Sequence, residues 1–287
     1  MQLEFIELVQ QLRSHFMDLF FKGLNFFDTP IFFFVLLPYL WFGKNWKVSL
    51  RLFAILLLST LAVSLLKNFF AYPRPFHILP KLGVIHVPGY GFPSGGATSA
   101  MLLSALLLTY AKSSWKWLFG FSFFFLVSLS RIYLGVHFPI DILGGWILGL
   151  ILWALFVFTA PSIEAWLKKC PRSILFMISQ IAPLLLSLSH PTSSFFLFST
   201  IGMGLSMGLF INYYYGLCLP KPTTPIESLF RGCFGSIFAV VLFVLLKQLP
   251  SSEYKPYLLG QGLLFGLTLS IGGTFICKEL LKKIRKK

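Results

Sequence analysis

The stretch Ser130-Arg131-Ile132-Tyr133-Leu134-Gly135-Val136-His137-Phe138-Pro139-Ile140-Asp141 puts a cation, a histidine and a carboxylate side by side in a chain that is otherwise short of charge. It lies between two apolar runs, 116–134 and 139–160, and so reads as the mouth of a helical membrane bundle. Burying ionisable groups at the ends of apolar helices is costly, and such groups are usually functional. His137 and Asp141 are one helical turn apart, so their side chains can meet. A carboxylate on one ring nitrogen fixes the imidazole tautomer and makes the other nitrogen a stronger base or nucleophile. The competing reading is an interfacial Arg131–Asp141 pair with an idle His137, and this segment alone does not separate the two.

Composition supports the membrane. The 287 residues are 56% hydrophobic and 18% aromatic, with 11% charged, and mean hydropathy is +0.81. A soluble domain carries about 25% charged residues. A bilayer-crossing helix needs about 20 apolar residues. Eight runs qualify as spans, at 25–43, 49–66, 97–111, 116–134, 139–160, 173–189, 195–214 and 229–247, with a ninth at 256–277. The expected fold is therefore all-α, a polytopic membrane helical bundle. The start, Met1-Gln-Leu-Glu4-Phe-Ile-Glu7, is acidic where a cleavable signal is basic. Residues 1–24, with Glu4, Glu7, Arg13 and Asp18 among apolar neighbours, read as an amphipathic helix along the interface.

The net charge of +15 raises nucleic acid as a partner, but its distribution argues for a bilayer instead. Alternate connections carry Lys44, Lys47 and Arg51, then Lys112 and Lys116, then Lys168, Lys169 and Arg172, then Lys221 and Arg231. The tail adds Lys278, Lys282, Lys283, Arg285, Lys286 and Lys287 on the same side. The positive-inside rule makes that side, and the C-terminus, cytoplasmic, and the tail suits anionic lipid. Lys67, Arg74, Lys81, Arg131, Lys247 and Lys255 fall on the opposite face. Cys170, Cys218, Cys233 and Cys277 lack metal-ligand spacing and read as reduced thiols. No metal, cofactor or protein partner is inferred.

Composition shifts near residue 161. Polar clusters lie before it; after it come apolar spans with Ser, Thr, Gly and a few Tyr. Residues 25–165 read as a catalytic core and 166–287 as an accessory region. In the latter, Pro220–Pro225 forms a stiff loop. The glycines of Gly202-Met203-Gly204 and Gly272-Gly273 suit close helix packing.

Three segments of the core fall on the non-cytoplasmic face. The first is Lys67-Asn-Phe-Phe-Ala-Tyr-Pro-Arg74-Pro75, the second Gly91-Phe-Pro93-Ser94-Gly95-Gly96, and the third the stretch quoted above. Singly the first two are weak: basic residues at helix ends snorkel, and Ser94 is an ordinary N-cap. Together they describe an oxyanion site. Lys67, Arg74 and Arg131 supply three positive charges, and guanidinium groups grip phosphate oxygens in a fork. Ser94 adds a hydroxyl, and Gly95 and Gly96 let backbone N–H groups approach an anion at a helix N-terminus. The ligand so described is a phosphate. His137, backed by Asp141, is placed to attack phosphorus and form a phosphohistidine that water then opens.

These segments resemble the three signature motifs of the type 2 phosphatidic acid phosphatase family, whose core is shared with vanadium haloperoxidases. Lys67, Arg74 and Pro75 match the first motif; Ser130, Arg131, His137 and Asp141 match the third. The resemblance covers roughly residues 25–160. It implies a six-helix core, here with extra C-terminal transmembrane helices, and a metal-independent phosphatase acting on lipid phosphates or diphosphates at the outer membrane face. It implies a bacterial inner or plasma membrane protein with His137 as nucleophile, Asp141 as its partner, and Lys67, Arg74, Ser94 and Arg131 as phosphate ligands.

The second motif departs from the family at Gly96, where the pattern is Pro-Ser-Gly-His and the histidine protonates the leaving oxygen. General acid catalysis is worth about 10²–10⁴ in rate. A diphosphate substrate would leave without that proton. His86 or His77, both in the loop after the first motif, could supply it. A chain altered at this position would trap substrate or phosphoenzyme. A phospholipid-binding or transport protein would not need the acid at all. A phosphotransferase differs from the hydrolase only in the acceptor.

Overall fold

The computed structural model describes residues 1–188, 193–248 and 255–285, and every regular element among them is helical. In chain order these are α1 (Gln2–Gln10), α2 (His15–Leu24), a 3-10 turn (Asn25–Asp28), α3 (Pro30–Gly43), α4 (Trp46–Phe70) and the short α5 (Pro75–Ile78). There follow α6 (Gly95–Tyr110), α7 (Lys116–Tyr133), α8 (Pro139–Lys169), α9 (Arg172–Leu188), α10 (Ser193–Tyr214) and α11 (Pro225–Lys247). The last are α12 (Lys255–Leu267), a π-helical turn (Thr268–Gly272) and α13 (Gly273–Arg285). Residues 189, 286 and 287, which the sequence assigns to a span end and to the basic tail, lie outside the described residues.

Among the described residues, five helices are long and apolar enough to cross a membrane, or six if the broken pair His15–Asp28 and Pro30–Gly43 counts as one span. The eight or nine runs read from the sequence overcount by this measure. The run at 97–111 becomes the 16-residue α6, about 24 Å at 1.5 Å per residue, short of a hydrocarbon core of about 30 Å. The run at 25–43 is interrupted at Thr29, which is extended and precedes Pro30, a residue with no N–H to continue a ladder. The run at 256–277 is longer than read, reaching Arg285, and is re-phased by the π-turn. The amphipathic start is two helices: Ser14 Oγ accepts from Met17 N at 3.2 Å and caps α2.

The chain forms two compact units, residues 1–32 with 58–163, and residues 33–57 with 164–287. In the first, the N-terminal helices are packed in. Ile6 is fully buried with Leu82, Ala97, Ile132 and Ile142. Phe21 stacks on Tyr133 at 4.1 Å between centroids. Gln10 Nε2 donates to the carbonyls of Leu82 and Tyr133 at 2.8 and 2.7 Å. Apolar burial gives little drive between helices in lipid, so small residues at the contact decide the approach. Gly145 and Gly149 of α8 do this against α6: a Cβ at either would lie 2.7 Å from the carbonyl oxygen of Ser94 or Thr98.

In the second unit α10 and α12 meet in the same way, with Gly204 against Gly266 and Gly262 against Thr200. Gly202 faces Phe53 and Gly273 faces Phe42, as the glycine pairs predicted, while Gly272 meets only Thr268. Phe34, Phe42, Ile201, Leu205, Phe265 and Leu269 form its core.

Candidate active site

The site lies in the first unit, where the end of α4, the loop into α6 and the link from α7 to α8 converge. The backbone sets each piece. After Lys67, in the last turn of α4, Ala71 takes a positive φ of 49°. Pro73 and Pro75 then bar the helix from resuming, so Arg74 stands as the N-cap of α5. Ser94 caps α6, its Oγ accepting from Ala97 N at 3.4 Å. α7 ends at Tyr133, and Gly135 reverses the chain with φ 69°. A Cβ there would sit 2.0 Å from the Leu82 carbonyl oxygen, so this turn needs glycine. Pro139 begins α8, leaving His137 just before the helix and Asp141 in its first turn, as read from the sequence.

These turns bring the charges together. Lys67 Nζ donates to the carbonyls of Tyr90 and Gly91 at 2.6 and 3.2 Å. Arg74, 3% exposed, donates through Nε to Gly89 O (2.8 Å) and through Nη2 to Pro88 O (3.2 Å). Its Nη1 donates to Val136 O at 3.0 Å and lies 3.2 Å from His137 Nε2. His137 Nδ1 faces Asp141 Oδ2 at 3.3 Å, and that oxygen also accepts from Phe138 N at 2.8 Å. The Asp141 carbonyl accepts from Ser94 N at 2.9 Å, tying the second segment to the third. Ser94, Arg131, His137 and Asp141 are all buried.

Burial first, then the charges of Lys67, Arg74 and Arg131, hold the His137 imidazole well below its ordinary pKa of 6.5; a hydrogen bond with the Gly91 backbone pulls the other way. The ring is neutral at physiological pH. With Nδ1 turned to Asp141, Nε2 is the nitrogen left for chemistry.

Arg131 is turned to residues the sequence reading did not single out. Its Nη1 donates to Asp28 Oδ2 at 2.5 Å, and its Nη2 to Asn25 Oδ1. The same Asp28 carboxyl lies over Gly96: a Cβ on residue 96 would be 2.8 Å from Asp28 Cγ and 2.9 and 3.0 Å from its oxygens. The available signal was a carboxylate at the start of an apolar run, in a chain with nine acidic residues. Gly95 opens the first turn of α6, with Val63 Cγ1 as its nearest neighbour. His86 is exposed, its ring edge-to-face on Phe76 at 4.9 Å, and His77 Nδ1 accepts from Arg74 N at 3.3 Å. The titratable group nearest Gly96 is thus Asp28, not the His86 named as a substitute acid.

A helical membrane protein with this set of cations around a histidine–aspartate pair has clear relatives. Residues 48–163 match the profile described as PAP2 superfamily. It is 26% identical over 264 residues to mouse sphingosine-1-phosphate phosphatase 2, covering 83% of this chain and 74% of that protein. It is 30% identical over 110 residues to an undecaprenyl-diphosphatase of Sulfolobus acidocaldarius, covering 38% of this chain and about half, 53%, of that protein. The crystal structure of Aquifex aeolicus LpxE superposes with a TM-score of 0.50 at 28% identity, covering 54% of this chain and 94% of LpxE. The chain is an integral membrane protein, and the mouse and Sulfolobus relatives are phosphatases.

Proposed function

We propose that the protein is a metal-independent membrane lipid phosphate phosphatase working through a phosphohistidine on His137. The observation that carries this reading is the placement of His137: Nδ1 against Asp141 at 3.3 Å, Nε2 facing Arg74 at 3.2 Å, and the ring neutral under the charges of three cations. A phosphate group drawn to Lys67, Arg74 and Arg131 is presented to Nε2. Attack there forms the P–N bond and breaks the bond to the lipid oxygen. The cations stabilise charge on the equatorial oxygens. Water then opens the phosphohistidine and releases inorganic phosphate.

A lipid substrate is supported by the relatives, whose names specify phosphatases of sphingosine 1-phosphate and undecaprenyl diphosphate. The distribution of basic residues among the connections supports a site mouth that faces away from the cytoplasm.

The test is phosphate release in detergent micelles with EDTA present, from a single-chain lipid monophosphate and from a prenyl diphosphate. The wild type releases phosphate from at least one, and His137→Ala from neither. Release that requires added metal, or that survives His137→Ala, refutes the reading. Binding of lipid without release favours a phospholipid-binding protein.

A further inference from the structure

Asp28 lies before the segment that matches the superfamily, yet its carboxyl stands inside the site. It ends the 3-10 turn Asn25–Asp28. That turn is held by Phe27, whose ring packs on Phe32 and Phe123 at 5.2 Å each, and by Thr29 Oγ1 donating to Phe26 O at 2.7 Å. The carboxyl pairs with Arg131 and interacts electrostatically with Lys67 and Arg74, so it faces the same cations that the phosphate would. It also fills the space where a side chain on residue 96 would begin. Its side chain is 29% exposed, so it is not sealed within the bundle.

Resting on the phosphatase reading above, we infer that Asp28 supplies the proton transfer for which residue 96 has no side chain. A phosphate that takes over Arg131 leaves the Asp28 carboxyl beside a dianion, and like charges at that range share a proton. As His137 Nε2 bonds to phosphorus, the P–O bond to the lipid breaks. The lipid oxygen keeps that electron pair, takes the Asp28 proton and leaves as the alcohol. The Asp28 carboxylate then takes a proton from the water whose oxygen attacks phosphorus. The P–N pair returns to Nε2, phosphate departs, and Asp28 is protonated again. His137 keeps its Nδ1 proton against Asp141 throughout. Asp28 thereby extends the range of the site to alkyl phosphate monoesters, whose leaving oxygen needs a proton.

The test is the dependence on leaving group. Asp28→Asn is expected to lower kcat by about 10²-fold or more on an alkyl lipid monophosphate, and by less than about tenfold on p-nitrophenyl phosphate, which leaves unprotonated. Asp28→Ala combined with Gly96→His removes the atoms that a Cβ on residue 96 would meet, restores a titratable group to the same space, and is expected to regain at least about tenfold on the lipid over Asp28→Ala alone. Equal losses on both substrates would mean that Asp28 only braces Arg131, and a gain of activity would mean that it blocks the cradle; either overturns the inference. A fully active Asp28→Asn beside a dead His137→Ala rejects the role of Asp28 and leaves the phosphatase reading standing. A wild type that releases no phosphate, or a fully active His137→Ala, rejects both.

Discussion

Asp141 Oδ2 lies 3.3 Å from His137 Nδ1 while accepting the Phe138 N–H at 2.8 Å. One oxygen thus closes the first turn of α8 and orients the imidazole. The shorter bond is the backbone one, so the helix start fixes the carboxylate and the carboxylate fixes the ring. Asp141 also holds Ser94 N through its carbonyl at 2.9 Å, which makes its first turn the joint between two of the three signature segments.

Asp141→Asn tests that division of labour. The amide oxygen can still accept from Phe138 N, so thermal unfolding in detergent should change little. Its orienting charge is lost, and a neutral amide does not fix the same tautomer. In serine hydrolases the equivalent loss costs about 10⁴ in kcat, and a fall of about 10²–10⁴ is expected here. A variant that unfolds early and loses activity only in proportion would make Asp141 a purely structural residue.

The pH profile follows from the surroundings of His137. Burial and then Lys67, Arg74 and Arg131 lower its pKa, and the neutral ring is the reactive form. A lowered pKa extends activity towards acid, so kcat/KM should pass through pH 6.5 without a limb from this group. Lys67→Met removes the cation with the largest pull after burial. Activity falls because a phosphate ligand is lost, and the acid limb moves up towards 6.5. A limb that stays put or moves down contradicts this electrostatic account.

The approach of α8 to α6 is a third point of test. Gly145 has no room for a side chain, with Ser94 O at 2.7 Å and the Ala97 Cβ at 2.9 Å from where its own Cβ would be. Gly145→Val should push α8 away and carry Ser94 out of register with His137. Overpacking of this kind costs about 1–3 kcal/mol. A lower melting temperature together with a loss of phosphate release is expected, and a variant with wild-type melting and turnover would show that the contact is slack.

The sequence made legible what is local. Lys67, Arg74, Ser94, Arg131, His137 and Asp141 sit in short segments whose turns are written in prolines, a capping serine and a reversing glycine, and the structure gathers them. The break of the first apolar run was written there too, in Asp28-Thr29-Pro30, but was read through because its flanks are so apolar. What could not be read was the meeting of Asp28 with Gly96 and Arg131. These residues are far apart in the chain, share no periodicity, and are joined only by tertiary packing. The helix contacts at Gly145 and Gly149 were hidden for a related reason: a glycine in an apolar run does not say which helix it faces.

The central claim is the covalent intermediate on His137. Brief incubation of the purified protein with a lipid phosphate carrying a radiolabelled phosphoryl group, quenched in alkali and digested, measures it directly. The account predicts acid-labile label on the peptide that contains His137, chased by unlabelled substrate and missing from His137→Gln. Label at any other residue, or sustained phosphate release by His137→Gln, would contradict it.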